Sequence, residues 1–267
     1  MTRPPTADTD TVLAVAGNTP GQIRGPKAKL WPFPRRVHGL VTMLAQTRRK
    51  VAKALGVETR DLPVAVALNE DSSRGNAAWA EHPKWLRIRG RANTVLAKGR
   101  LTVANALALR GRLEVADGCA LRFKYAFGVR RISMIVRLLV TALGAPLAKV
   151  VVHVPGARAA SERTRRRIVR ELGAYAVACE RIGLPCVLSG DWNGADRWLP
   201  DGIRANKGAD ADVQAIYGNA LVDFGDGGTI PEAAGTVTDH RDGLCYVPVT
   251  IPVSGVRELP EVPAAYR

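Results

Sequence analysis

Apolar residues in this sequence fall into short runs that are rich in β-branched residues and bounded by Gly, Pro, Asn or Asp. Such runs are typical of buried strands, because they are too short for helices and turn-forming residues end them. Several runs with few helical stretches between them indicate sheets packed on each other. The strands are predicted at Thr11–Ala16, Leu62–Leu68, Thr94–Leu96, Leu101–Leu109, Leu113–Val115, Ile132–Val140, Lys149–Val154, Pro185–Leu188 and Leu244–Val253.

Two stretches have the spacing of amphipathic helices. The first begins at Val37 with one apolar stripe, and Gly56 is its expected C-terminal cap. The second has Ser161 as its N-cap and runs to Gly183. Its buried side is predicted to carry Ile168, Leu172, Tyr175, Val177 and Ile182, and its outer side Arg163, Arg165, Arg166, Arg167 and Arg170.

Two segments are predicted to be irregular. Thr19–Pro34 is rich in Pro, Gly and basic residues and reads as an exposed loop, and Ser72–Arg91 reads as a long loop or insertion that carries tryptophans among basic residues. The sequence has no internal repeat, no low-complexity tail and no break in composition. We therefore expect a polar leader over residues 1–10 and a single domain over 11–267.

Composition favours a polyanionic partner without deciding the chemistry. The 267 residues contain 39 Lys and Arg against 24 Asp and Glu, which gives a net charge of +15. Phosphate contacts release counterions, so such a surplus favours nucleic acid, although a solvated basic surface without a partner is the alternative. The outer arginines of the second helix are likewise either a phosphate-contacting stripe or a solvated face. Their position well before any chemical motif favours the solvated face.

The hydrophobic content, the cysteines and the apolar stretches of the sequence are typical of a cytoplasmic protein. Hydrophobic residues make up 46% of the chain, enough for a sizeable core. The four cysteines form no C-x-x-C pair and are expected to be small buried hydrophobes in a reducing compartment. The start of the chain lacks the pattern of a secretory signal, and the most apolar stretch is too interrupted to span a membrane. We expect a monomer in the cytoplasm without membrane contact.

The sharpest candidate for chemistry is Gly190-Asp191-Trp192-Asn193, where a buried strand emerges. Alternation along the strand predicts that Asp191 and Asn193 share one face while Trp192 anchors the core. A carboxylate beside a neutral amide suits the orientation of a water molecule and a phosphoryl oxygen. The alternative is a plain turn, since Gly, Asp and Asn all favour turns.

A second candidate, Thr238-Asp239-His240, stands just before the late strand. Histidine titrates near neutral pH and can exchange a proton, and the adjacent acid can bind metal or bias the charge of the imidazole. The alternative is a structural Asp-His pair.

Three further polar residues lie at or near strand ends. Glu70 follows the second predicted strand and is a candidate ligand for Mg²⁺, which prefers carboxylates and water. His153 stands in an apolar strand before a Pro-Gly turn, and Asn18 ends the first strand. Their alternatives are a loop acid, a hydrogen-bonded core histidine and an ordinary Asn-Thr-Pro turn.

Taken in order, these residues resemble the endonuclease/exonuclease/phosphatase superfamily, which includes deoxyribonuclease I and exonuclease III. Gly190-Asp191-Trp192-Asn193 is similar to the family's G-D-F-N motif and Thr238-Asp239-His240 to its S-D-H motif. Asn69-Glu70 resembles the family's Gln-Glu, and His153 its strand-borne histidine. The resemblance extends from Thr11 to Ile251.

The family also has an Asp that opens a strand between the last two motifs. Asp212 is the best match for it, with Asp210 as the alternative register. Two departures are Asn69 in place of Gln and the lack of apolar neighbours around Asn18.

The resemblance implies a four-layered α/β/β/α sandwich of two mixed sheets flanked by helices, with the site where strand ends meet. It also implies in-line attack of water on a phosphodiester. Glu70, Asn18 and Asp239 would hold Mg²⁺ or Mn²⁺. Asp191 and Asn193 would position the nucleophile and a phosphate oxygen, and either Asp191 or His240, oriented by Asp212, would take the proton. His153 would stabilise charge on the phosphoryl oxygens.

Nucleic acid, DNA rather than RNA, is the expected substrate. The basic segments Arg24–Arg36 and Trp79–Arg91 can grip a phosphate backbone and stack on bases, and Arg74, Trp79 and Arg91 are the candidate contacts. Packing of the tryptophans within the loop is the alternative. A small phosphorylated molecule or a lipid headgroup is a second substrate class, and a non-catalytic nucleic-acid-binding module is a third possibility.

Overall fold

The computed structural model describes residues 8–18, 32–72, 76–89, 103–125, 130–211, 213–238 and 240–262, with the backbone alone at 33, 70–72, 76, 103–104, 125 and 130–131. Its α-helices are α1 (Phe33–Leu55), α2 (Asn76–Ala80), α3 (Glu162–Arg181) and α4 (Asp201–Ala205). Its strands are β1 (Thr9–Asn18), β2 (Val64–Ser72), β3 (Trp85–Arg89), β4 (Val103–Arg110), β5 (Leu113–Tyr125), β6 (Arg130–Thr141), β7 (Pro146–His153), β8 (Cys186–Asp191), β9 (Lys207–Ala211), β10 (Gln214–Gly218), β11 (Asp223–Phe224), β12 (Gly228–Ile230) and β13 (Leu244–Pro252).

The strands form two mixed sheets with a parallel pair at the centre of each. Within the described residues, one sheet runs β11-β13-β1-β2-β4-β3, with β12 also on β13, and the other runs β5-β6-β7-β8-β10-β9. The central pairs β1/β2 and β7/β8 are parallel, and their neighbours β13 and β10 are antiparallel. The carboxyl ends of the central strands therefore lie beside the first residues of β10 and β13.

Three hydrophobic clusters separate the layers. Leu40 and Leu44 of α1 pack on the outer face of the β1 sheet, and Ile168 and Leu172 of α3 pack on the outer face of the β7 sheet. The third cluster fills the space between the sheets, and each fully buried aliphatic side chain there contributes about 1.5 to 3 kcal/mol. This order of layers is the predicted α/β/β/α sandwich.

Several predicted boundaries are wrong. The segment 72–91 was expected to be irregular, but it contains α2 and β3, and β3 pairs with β4 at the sheet edge. The leader predicted over residues 1–10 ends earlier, because Thr9 and Asp10 pair with Pro252 and Ile251. Helix α1 begins at Phe33, within the predicted loop. Residues 19–31 of that loop and the strand predicted at Thr94–Leu96 lie outside the described residues.

Helix α3 also differs from its predicted faces. Ile182 is 45% exposed, because it caps the helix beyond the last regular turn and helical periodicity no longer applies to it. Arg165, predicted on the outer face, is only 5% exposed. Ser161 is the N-cap as predicted, since its side chain accepts a hydrogen bond from Thr164 N.

The four cysteines are free thiols, three of them buried and Cys119 half-buried, in agreement with their predicted role as small hydrophobes. Among the described residues, no helix combines the length and the apolar character needed to cross a bilayer.

Candidate active site

Two strand ends bring a histidine and an aspartate together. His153 ends β7 and pairs in register with Asp191, which ends β8. Side chains of paired residues in neighbouring strands point to the same face, so the imidazole and the carboxylate lie side by side. The distance from His153 Nε2 to Asp191 Oδ2 is 4.0 Å.

The loop before β13 adds a second histidine to this pair. His240 Nε2 lies 3.7 Å from Asp191 Oδ2 and 2.9 Å from Asn18 Nδ2, at the end of β1. An amide nitrogen only donates, so in this orientation His240 accepts through Nε2 and carries its proton on Nδ1.

A buried amide network fixes the position of Asp191. The side-chain oxygen of Asn69 accepts a hydrogen bond from Asp191 N at 2.9 Å, and Asn69 Nδ2 donates to the Val152 carbonyl at 2.7 Å. The same nitrogen donates to Asn105 Oδ1 at 3.2 Å, and Asn105 donates to the Ser133 carbonyl at 2.7 Å. Strands from both sheets are thereby tied together behind the candidate site.

Gly190 allows β7 and β8 to approach closely at this point. Its φ is +144°, and a Cβ there would lie 2.0 Å from the Val152 carbonyl oxygen. That distance is far below contact, so the backbone requires glycine immediately before Asp191.

The residues after Asp191 form a turn. Trp192 is anchored in the core, where its indole donates to the Ala215 carbonyl at 3.0 Å, as predicted. Asn193 was predicted to share the strand face of Asp191, but it leaves the strand with a φ of 49°. Its backbone N donates to Asp191 Oδ1 and its side-chain amide donates to the Val154 carbonyl, both at 2.9 Å. Asn193 therefore braces the carboxylate and the β7 end.

Burial governs the charge of His153. Desolvation lowers the pKa of its imidazole, and the neighbouring His240 lowers it further, whereas Asp191 raises it. Its Nδ1 has no hydrogen-bond partner among the described residues. His153 is thus a neutral imidazole at neutral pH.

Five of the predicted site residues meet: Asn18, His153, Asp191 and His240 through their side chains, and Asn193 through its backbone nitrogen. Glu70 follows Asn69 on β2, but its side chain lies outside the described part of the structure, as do Arg74, Arg91, Asp212 and Asp239. Asp210, the alternative to Asp212, lies on β9 and forms an ion pair with Lys207 at 2.5 Å.

The predicted substrate contact at Trp79 is wrong. It is 6% exposed and packs edge-on against Trp85 in the core beneath α1. Its ring is therefore not available to stack on a base, and the packing alternative accounts for it.

The sequence placed Asn69 in the motif that resembles the family's Gln-Glu but assigned it no role, and it did not point to Asn105 and Arg165 as neighbours of the site. Asn105 offered a signal, because an amide within the apolar strand Val103–Arg110 requires a buried partner. Arg165 offered none, because its sequence neighbours are other arginines.

The donor atoms at this edge suit a hard divalent cation. Among the side chains that the structure describes, no three His, Cys, Asp or Glu residues are grouped to hold a metal ion. However, Asn18 pairs in register with Asn69, so the Glu70 backbone lies next along β2 from this pair. The carboxylate of Asp191 and the amide of Asn18 are oxygen donors of the kind that Mg²⁺ and Mn²⁺ accept.

Comparisons with known proteins support the fold. An endonuclease/exonuclease/phosphatase protein from Bacteroides vulgatus is 15% identical with a TM-score of 0.60, over 94% of this chain and 99% of that chain. TDP2 from D. rerio, complexed with a single strand DNA product, is 12% identical with a TM-score of 0.56, over 90% and 98%. ANGEL2, a 2′,3′-cyclic phosphatase, is 10% identical with a TM-score of 0.56, over 91% and 95%.

No protein-family model matches the sequence, and no curated protein matches it. At the level of structure, the chain has the fold of the endonuclease/exonuclease/phosphatase proteins, as its motifs predicted.

Proposed function

We propose that this protein is a divalent-metal-dependent phosphodiesterase that hydrolyses nucleic acid, with DNA preferred to RNA. The observation that carries the proposal is the meeting of Asn18, His153, Asp191 and His240 at one edge of the sandwich. These side chains come from four strands or loops spread over 222 residues of sequence. A packing requirement alone does not bring two imidazoles and a carboxylate together, whereas proton transfer and phosphate binding use such groups.

In this proposal, Asp191 accepts the proton of the attacking water. Its Oδ1 is held by the backbone N of Asn193, which leaves Oδ2 as the oxygen that faces both imidazoles. The buried amide of Asn69 fixes the backbone of Asp191, so the carboxylate is preorganised for in-line attack. Asn193 acts by bracing this carboxylate.

The two histidines act on the phosphoryl oxygens. His153 is neutral and donates a hydrogen bond to a phosphoryl oxygen as negative charge builds up. His240 would bind a second oxygen when its contact with Asn18 is replaced by one to substrate, and as the imidazolium it would give a proton to the leaving oxygen, which balances the proton taken by Asp191. Asp212 would orient His240.

Glu70 and Asn18, with Asp239, would hold Mg²⁺ or Mn²⁺. A bound cation of this kind supplies Lewis-acid stabilisation of the phosphoryl oxygens.

Two observations favour a nucleic-acid substrate. The net charge of +15 draws a polyanion to the surface and speeds encounter. TDP2, one of the proteins with this fold, was solved with a single strand DNA product.

A phosphatase acting on a small phosphorylated molecule is the second candidate, because ANGEL2 with the same fold is a 2′,3′-cyclic phosphatase. A non-catalytic binding module is the third, and it would leave the preorganised carboxylate without a role.

The test is to incubate purified protein with plasmid, linear duplex DNA, single-stranded DNA, RNA and bis(4-nitrophenyl) phosphate, with Mg²⁺, with Mn²⁺ and with EDTA. We expect metal-dependent cleavage, fastest on DNA. Asp191→Asn should lower the rate by about 10² to 10⁴-fold, because the amide keeps the shape but cannot take the proton.

Asp196→Asn is the matched control. Asp196 lies five residues further along and accepts a hydrogen bond from the Tyr217 hydroxyl at 2.6 Å. The Asp196→Asn variant should cleave at a rate close to that of the wild type. Absence of cleavage on every substrate would refute the proposal, and cleavage of bis(4-nitrophenyl) phosphate alone, without any nucleic acid, would favour the second candidate.

A further inference from the structure

One tryptophan gathers three arginines next to the candidate site. The guanidinium carbons of Arg197, Arg165 and Arg166 lie 4.5, 5.4 and 5.5 Å from the centre of the Trp198 ring. The negative face of an indole attracts cations, so it offsets part of the repulsion between like charges held this close. The result is a preassembled cluster of positive charge.

This cluster is joined directly to the site. Arg165 is 5% exposed and donates a hydrogen bond to the Asn193 carbonyl, and Asn193 N in turn donates to Asp191 Oδ1 at 2.9 Å. Arg165 Nε is buried and has no hydrogen-bond partner among the described residues. Burial, and then the neighbouring Arg197, lowers the pKa of the Arg165 guanidinium. A buried donor and an excess of positive charge therefore lie beside the catalytic turn.

The positive charge continues along α3. Arg163, Arg166, Arg167 and Arg170 are exposed, and with Thr164 and Glu171 they line a groove of about 490 Å³. Their spacing puts them on one helical face over about 10 Å. Glu162 pairs with Arg166 at 2.6 Å, and Arg167 donates to the Lys124 carbonyl at 2.8 Å. Residues 162–171 contain five arginines against two glutamates, so most of the charge is not compensated within the segment.

We propose that the α3 arginine surface, defined as Arg163, Arg166, Arg167, Arg170, Arg197 and Trp198 and joined to the site by the buried Arg165, binds the phosphate backbone of one polynucleotide strand next to the candidate active site. The inference rests on the proposed function and deepens it, because it assigns where the substrate strand lies. A single row of cations matches a single row of phosphates. The Trp198 ring faces are occupied by guanidiniums, so the surface reads backbone and not base.

The α3 arginines stand well before the Asp191 motif in the sequence, and that separation favoured a solvated face for them. The hydrogen bond from Arg165 to Asn193 removes that argument, because it joins α3 to the turn after Asp191.

The test compares two triple variants that each remove three charges. Arg163→Gln/Arg167→Gln/Arg170→Gln changes the proposed surface, and Arg49→Gln/Lys50→Gln/Lys53→Gln changes exposed residues of α1 on the opposite layer. Binding of a fluorescent oligothymidylate is followed by anisotropy in EDTA, between about 50 and 200 mM salt. We expect the α3 variant to bind about tenfold more weakly, with its salt dependence reduced by about 2 in slope, since each single-strand contact contributes about 0.7.

The α1 variant should bind like the wild type. Equal loss in both variants, or no loss in the α3 variant, would overturn the inference. The double variant Arg163→Gln/Arg170→Gln, which keeps the Arg167 hydrogen bond, should show an intermediate loss and provides a second test.

Hydrolysis of bis(4-nitrophenyl) phosphate separates this inference from the proposed function. The α3 variant should keep that activity, because so small a substrate does not reach the arginine surface, and a parallel loss would overturn the inference. If the wild type itself hydrolyses no phosphodiester, the proposed activity fails, while the binding comparison still decides whether the surface holds a strand.

Discussion

The side-chain oxygen of Asn69 accepts a hydrogen bond of 2.9 Å from the backbone nitrogen of Asp191, 122 residues away in sequence. Asn69 lies on β2 of one sheet and Asp191 on β8 of the other, so this contact couples the two halves of the sandwich at the site. By holding the backbone of Asp191, it fixes the position of the Asp191 carboxylate relative to His153 and His240.

Replacing Asn69 should therefore impair both stability and activity. Asn69→Ala leaves the Asp191 N–H and the Val152 carbonyl without their buried partner, which should lower the free energy of unfolding by about 2 to 4 kcal/mol. Urea unfolding measures the loss. Cleavage should fall by more than the loss of folded protein explains, because Asp191 is no longer fixed.

Asn105→Ala is the matched control for Asn69. It breaks the bonds of Asn105 to Asn69 and to the Ser133 carbonyl but leaves the Asp191 contact in place. The control should be destabilised to a similar degree while its activity falls less. Equal activities of the two folded variants would mean that Asn69 acts through stability alone.

The four histidines should divide into two functional classes. His240 and His153 lie within 4.0 Å of Asp191, whereas His38 and His82 form their own pair at 2.8 Å beside Glu81. His240→Ala should lower kcat/KM for DNA cleavage by about 10² to 10⁴-fold, as expected for loss of a proton-transfer group. His38→Ala should leave cleavage near the wild-type rate, and a comparable loss there would contradict the assignment.

Strand-end positions could be read from the sequence, but side-chain environments could not. The apolar runs indicated that Asp191 and His153 lie at strand ends, and the parallel pairing of β7 with β8 brings the two residues together. The alternation of side chains along a strand predicted the wrong position for Asn193, because a turn with positive φ ends the strand there. Arg165 was predicted to be solvated, but Trp198 and the Asn193 carbonyl cover its guanidinium. The pattern of charges along a helix does not reveal such contacts.

Gly190 should tolerate no side chain. An added Cβ would lie 2.0 Å from the Val152 carbonyl oxygen, in addition to the unfavourable φ of +144°. Gly190→Ala should lower the free energy of unfolding by more than about 3 kcal/mol, because neither backbone can yield without breaking the β7/β8 pairing.

Gly183 separates the effect of φ from the effect of the clash. It also has a positive φ, +74°, but an added Cβ meets nothing within 4 Å. Gly183→Ala should cost about 1 to 2 kcal/mol, the usual penalty for the left-handed conformation. Equal losses in urea unfolding would show that contact with Val152 does not matter.

Lys149 is a buried lysine in the space between the two sheets. Its neighbours Leu147 and Val151 on the same face of β7 belong to the inter-sheet cluster, and its Nζ has no hydrogen-bond partner among the described residues. Burial lowers the pKa of Lys149 to about 7, from 10.5. Above pH 7 the folded state therefore holds a neutral amine, while the unfolded chain keeps its proton up to about pH 10.5.

Because the unfolded state binds more protons in that window, Lys149 makes the free energy of unfolding rise with pH above 7, by up to about 1.4 kcal/mol per pH unit. Lys149→Met removes this dependence and should stabilise the protein by several kcal/mol at neutral pH. Burial raises the pKa of Cys245 to about 12, which has the opposite effect at higher pH. The measurement is therefore the difference between wild type and variant in urea unfolding from about pH 7 to 8.5. That difference should shrink as pH rises, and a constant difference would show that Lys149 has an ordinary pKa in the folded protein.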